Sequence, residues 1–174
     1  MFKTLHEIYE YRTMISSLIR RDLRGRYKGS VLGFAWTFLN PLLQLVVYTL
    51  VFSTIMRAGI EDYYLFLFVA LIPWIFFSGS ISAGASCVIA QKEMVKKIYF
   101  PREVLPIAHV TCQLVNMLLS FIVVFAVLIF SGKGISIRAL LYLPIVVVAE
   151  YLLAISITMI VSAVTVYLRD LEHI

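Results

Sequence analysis

Charge is what this chain of 174 residues has least of: Asp, Glu, Lys and Arg make up 14% of it. Soluble domains carry ~25% charged residues, and this sequence is instead 61% hydrophobic with a mean hydropathy of +0.95. A soluble enzyme, a nucleic-acid binder and a disordered tail are excluded by that balance. Cysteine is scarce too. Cys87 and Cys112 are the two present, which excludes a secreted disulfide scaffold. The first thirty residues lack the continuous apolar core before a small-residue site that a cleavable signal needs. Glycines occur at Gly25 and Gly29 without the spacing of a phosphate loop. Catalytic Ser/His/Asp sets, paired carboxylates and metal-ligand clusters are missing as well. His109 and Cys112 share a helix face, but two ligands do not make a zinc site, and both are read as packing residues.

What the chain does have is four long runs almost free of charge: Gly29–Met56, Tyr63–Gln91, Val104–Gly132 and Ala139–Leu168, the last interrupted by Glu150. Crossing the ~30 Å hydrocarbon layer takes roughly 20 apolar residues, so each run is long enough. The fold class expected is all-α: a polytopic membrane protein with an N-terminal amphipathic helix and four spans. The domains expected are a cytoplasmic interface helix over 1–28 and a transmembrane domain over 29–174. Its spans fall near 33–56, 63–90, 104–131 and 139–167, with a cytoplasmic loop at 91–103.

Orientation follows from the basic residues, which collect on the cytoplasmic side of membranes. Lys3, Arg12, Arg20, Arg21, Arg24, Arg26 and Lys28 precede the first span, and Lys92, Lys96, Lys97 and Arg102 sit in the middle loop. Arg169 follows the fourth span, whereas the other side holds only Arg57, Lys133 and Arg138. Both ends and the middle loop are therefore expected in the cytoplasm. The net charge of +5 reports topology and anionic lipid rather than nucleic acid.

Helical spacing puts Leu5, Ile8, Ile15, Ile19 and Leu23 on one arc of the first segment, broken by Arg12. That pattern predicts an amphipathic helix with its apolar stripe in the acyl boundary and its cations toward headgroups or a partner. In the first span, Trp36, Thr37, Asn40, Gln44 and Tyr48 share about a third of the circumference. Lipid offers no hydrogen bonds, so these groups serve either interhelical bonding or a polar substrate path. Pro41 is expected to kink this span and Pro73 to break or tilt the second. The small residues of Ser78–Ser86 invite close approach of another helix. Glu93 and Lys97 predict a short helix in the middle loop, and Pro101 is placed to open the third span. The loop's mixed charges with Tyr99 and Phe100 suit docking better than plain solvation. Thr158, Ser162 and Thr165 form a second polar arc in span four, with Glu150 as the one intramembrane acid.

Three segments together carry a resemblance. Arg21-Asp22-Leu23-Arg24-Gly25-Arg26-Tyr27-Lys28-Gly29-Ser30 running into Trp36 and Leu39-Asn40-Pro41-Leu42, then Lys96-Lys97-Ile98-Tyr99-Phe100-Pro101-Arg102-Glu103, then Tyr167-Leu168-Arg169-Asp170-Leu171, occur in family order and spacing. The chain resembles the permeases of type-2 ABC polysaccharide exporters, the subunits for O-antigen, teichoic acid and capsular polysaccharide. The resemblance implies a homodimer in the bacterial inner membrane that exports a lipid-linked glycan. It implies no cofactor on this chain, with ATP and Mg held by a cytoplasmic ATPase partner. Contact with that partner is expected through Arg20, Arg21, Arg24, Lys92, Glu93, Lys96, Lys97, Tyr99, Phe100, Arg102 and Glu103. The substrate path is expected along Trp36, Asn40, Gln44 and Tyr48. The family has six spans, so the chain is expected to be a piece of a longer permease. The alternatives from other classes are an ion-coupled secondary transporter using Glu150 and a membrane enzyme acting on polyprenyl-linked sugars.

Overall fold

The computed structural model describes residues 8–27, 33–51, 63–130 and 137–168, all helix and turn with no strand among them. Helix α1 is Arg12–Tyr27, extended upstream by helical residues 8–10. A short 3-10 turn, Gly33–Ala35, leads into α2, Trp36–Thr49. Then come α3 (Tyr63–Ala85), α4 (Cys87–Ala90), α5 (Lys92–Lys97), α6 (Val104–Phe130) and α7 (Ile137–Thr165). Residues 28–32, 52–62, 131–136 and 169–174 lie outside the described residues, and with them Arg57, Lys133 and Arg169.

α6 and α7 match the third and fourth expected spans within about two residues at each end. Their segments Val104–Ala126 and Leu140–Thr165 are long and apolar enough to cross a membrane, and Phe38–Tyr48 and Val69–Ala85 are shorter apolar segments. α6 starts later than Pro101: the Val104 amide donates to the Pro101 carbonyl at 3.2 Å. The proline inside its first turn is Pro106, where the missing N–H has no helical partner to lose.

Of the break or tilt expected at Pro73, the second span shows no break. α3 runs through it unbroken, and the interruption comes at Ser86, with φ −93° and ψ 1° between α3 and α4. The run of small residues does bring helices together. A Cβ on Gly84 would run into Cγ2 of Thr158, so only glycine admits α7 this close. Beside it, the buried Thr158 hydroxyl donates to the Ser80 carbonyl at 3.2 Å. Ser162 and Thr165 are buried as well, so the second polar arc is used in packing.

α3 lies against both α6 and α7, with α2 across α3 and α6. Their shared core is Ile72 and Phe76 from α3, Val110, Met117, Phe121 and Val124 from α6, and Ala154 from α7. One polar bond ties α6 to α7: Thr111 Oγ1 and the Tyr151 hydroxyl lie 2.7 Å apart. Thr111 donates its own proton to the Ile107 carbonyl at 2.7 Å, which makes Tyr151 the donor between the helices. Outward, α7 shows Leu141, Ile145, Val148, Leu152 and Ile160, an apolar face suited to lipid.

Candidate functional site: a packed platform and an exposed polar helix face

The N-terminal helix and the 91–103 segment form one body. Leu18 of α1 is buried together with Phe100, Val104, Leu105 and Ala108, and Met14, Ile15 and Ile19 pack around them from α1. Of the stripe expected in the acyl boundary, Ile15 and Ile19 pack on protein, together with Leu18, which the stripe did not include. The reason is chemical: Phe100 and the start of α6 present an apolar surface that these residues cover, removing both from water. Arg21 adds a polar tie. Its guanidinium forms an ion pair with Asp22 at 3.1 Å and donates to Gln91 Oε1 at 3.3 Å. A small cavity of about 180 Å³ beneath that tie is lined by Arg21, Asp22, Ser86, Gln91 and His109.

α5 forms where Glu93 and Lys97 placed it. Glu93 sits in its first turn and Lys96 and Lys97 in its last, each complementing the helix dipole. The chain then leaves α5 extended at Ile98, φ −130° and ψ 131°. Tyr99 follows, 95% exposed, and Phe100 is only 7% exposed. Phe100 is therefore an internal anchor, which corrects its expected role as an outward docking residue. Arg20, Arg21, Arg24, Lys92, Glu93, Lys96, Lys97, Arg102 and Glu103 are all exposed. The platform presents Tyr99 amid charges and keeps its aromatic neighbour inside.

Cys87 opens α4, beyond the end of the spanning helix α3. Neither it nor the buried Cys112 is in a disulfide, and among the described residues no His, Cys, Asp and Glu group could hold a metal.

In the membrane region, Trp36, Asn40, Gln44 and Tyr48 all lie exposed along one side of α2, while Leu42 on another side packs onto the core. The side chains of Thr37 and Pro41 lie outside the described residues, and the helix runs on through position 41. The amides of Asn40 and Gln44 are exposed on the described protomer. Glu150 is half-buried on α7.

Sequence reasoning missed a second amide strip. Gln113, Asn116 and Ser120 follow one another along α6, with Asn116 Nδ2 donating to Gln113 Oε1 at 3.5 Å and Ser120 to the Asn116 carbonyl at 3.0 Å. Gln113 approaches Gly79, whose Cβ would meet its Nε2 at 3.5 Å. The signal was there: amides three residues apart in an otherwise apolar span.

Helices of this length and apolarity, stacked through small residues, make the chain an all-α multi-pass membrane protein. It belongs to the ABC-2 type transporter family, whose profile matches residues 13–174. It is 39% identical over 174 residues to the O-antigen export system permease protein RfbA of Myxococcus xanthus, covering all of this chain and 66% of that protein. A protein of the same name from Klebsiella pneumoniae is 34% identical over 156 residues, 90% of this chain and 60% of its own length. A second from Klebsiella pneumoniae is 31% identical over the same length. The chain thus spans about two thirds or less of the relatives it matches.

Proposed function

We propose that the chain is the membrane-spanning subunit of an ATP-driven exporter that moves a lipid-linked polysaccharide across the bacterial inner membrane. Membership of the ABC-2 family and the export named for its relatives support this reading. In it, the subunit performs no chemistry: ATP and Mg belong to a cytoplasmic ATPase partner, and two permease copies enclose the passage. α1 and the 91–103 segment face the cytoplasm, as the basic residues on them favour.

The observation that carries the proposal is the fusion of those two elements through Leu18, Phe100 and Val104. A push on Tyr99 or on the charges of α5 would pass through this packed cluster directly into α6, because close-packed interiors transmit displacement. The polar face of α2 would offer a glycan hydrogen-bond partners in Asn40 and Gln44 and aromatic surface in Trp36 and Tyr48.

The test is affinity purification of the full-length protein with its ATPase neighbour, followed by export assays in vesicles. ATPase co-purification and ATP-dependent export are expected. Export without the ATPase, driven by a proton gradient and lost in Glu150→Gln, would replace this reading with a secondary transporter.

A further inference from the structure

A groove of about 610 Å³ opens between the 91–103 segment and the end of α7. That size lies within the ~300–1,000 Å³ of small-molecule sites. One wall is Val88, Ile89 and Val95; the other is Met159, Ala163 and Val166. At its rim stand Lys92, Lys96 and Arg102 against a single carboxylate, Glu103. None of the three cations is ion-paired among the described residues.

The two halves of this groove ask for one kind of occupant. Three unmatched cations select an anion, yet a small soluble anion would leave the apolar walls without a partner. An alkyl chain satisfies the walls, yet a neutral lipid would leave the cations without one. An anionic amphiphile satisfies both, and basic pockets between spans on the cytoplasmic side do hold anionic headgroups. The lysine stems add to this, since their methylenes extend an apolar wall while the ammonium groups stay at the rim. The walls also continue into the lipid-facing side of α7, where Ile160, Val164 and Val166 are exposed.

We propose that this groove is a binding site for an anionic phospholipid of the cytoplasmic leaflet, its phosphate on Lys92, Lys96 and Arg102 and an acyl chain along Val95, Met159 and Val166. The proposal rests on the cytoplasmic orientation given under Proposed function, and it divides the loop's charges in a new way. Lys92, Lys96 and Arg102 line the groove, whereas Glu93, Lys97 and Tyr99 do not, so lipid and ATPase subunit take different residues of one segment. The lipid would tie the 91–103 segment to α7 across the groove.

The experiment is native mass spectrometry of the full-length permease with any bound ATPase subunit, released from nanodiscs of mixed phosphatidylglycerol and phosphatidylcholine. Wild type is expected to retain phosphatidylglycerol selectively. The triple variant Lys92→Gln, Lys96→Gln, Arg102→Gln should bind it on the order of a hundredfold more weakly, since each cation near a headgroup contributes a factor of about five. The charge-matched variant Arg20→Gln, Arg24→Gln, Lys97→Gln should retain the lipid. If the triple variant does not fold, Ala163→Trp, which fills the acyl wall and keeps every charge, should lose the lipid instead. Equal lipid loss in the charge-matched variant would reduce the effect to general surface attraction and overturn the site. Undiminished retention in both the triple variant and Ala163→Trp would do the same. So would a site-specific cross-link from Met159 to another segment of the full chain, which would give the groove a protein occupant. Loss of the ATPase subunit from the triple variant with lipid retained would assign these cations to docking. A permease that holds the lipid but never binds an ATPase would keep this site and remove the exporter reading.

Discussion

Tyr99 and Phe100 are consecutive in the chain and opposite in placement: one is 95% exposed at the platform's surface, the other 7% exposed beneath it. Their substitutions should therefore separate two properties. Phe100→Ala empties space beside Leu18 and Val104 and should lower stability by about 3–5 kcal/mol, seen as a reduced melting temperature in detergent. Tyr99→Ala should melt like wild type and weaken ATPase-subunit binding roughly thirtyfold, the ~2 kcal/mol typical of an interface anchor. A Tyr99→Ala protein with unchanged ATPase affinity in a pull-down titration would remove this residue from the docking surface.

Gly84 and Thr158 set how closely α3 and α7 approach. Gly84→Ala places a methyl group against Thr158 Cγ2, and overpacking of this kind costs about 1–3 kcal/mol. Adding Thr158→Ser removes the opposing methyl while keeping the hydroxyl on the Ser80 carbonyl, and should recover most of the loss. Thermal melts of the two single variants and the pair check this. Absence of rescue would mean that the helices meet elsewhere.

Asn40 and Gln44 face outward from α2, so their replacement by Leu should leave the protomer's own packing intact. Export of glycan is expected to fall severalfold, with complex yield and melting temperature close to wild type. A drop in yield before any drop in export would assign the face to assembly instead.

The outer limits of α6 and α7 were legible because charge marks where a helix leaves lipid, and charged residues bracket both runs. Helix α5 was legible from two residues, Glu93 and Lys97. Pro73 misled because a proline removes one backbone donor without forcing a break. The helix continues there without a break. The true interruption at Ser86 has no strong sequence signal; it places α4 where Cys87 and Val88 join the cluster around Phe100. The inward turn of Phe100 was hidden for a similar reason. Composition names an aromatic pair, but only the extended exit from α5 decides which ring goes inside. The cation-rimmed groove was out of reach because its walls, Val95 and Met159, are far apart in the chain.

The union of α1 with Phe100 and Val104 also orders events during synthesis. α1 leaves the ribosome well before its partners, and at ~5–20 residues per second several seconds pass before Leu105 emerges. During that interval Ile15, Leu18 and Ile19 lack the partners that cover them in the folded chain, and the membrane surface is the apolar phase within reach. The amphipathic pattern thus serves two hosts in turn, first lipid and then the folded platform. Transfer from one to the other becomes a late step of maturation, and it brings the platform together only after two spans are in place.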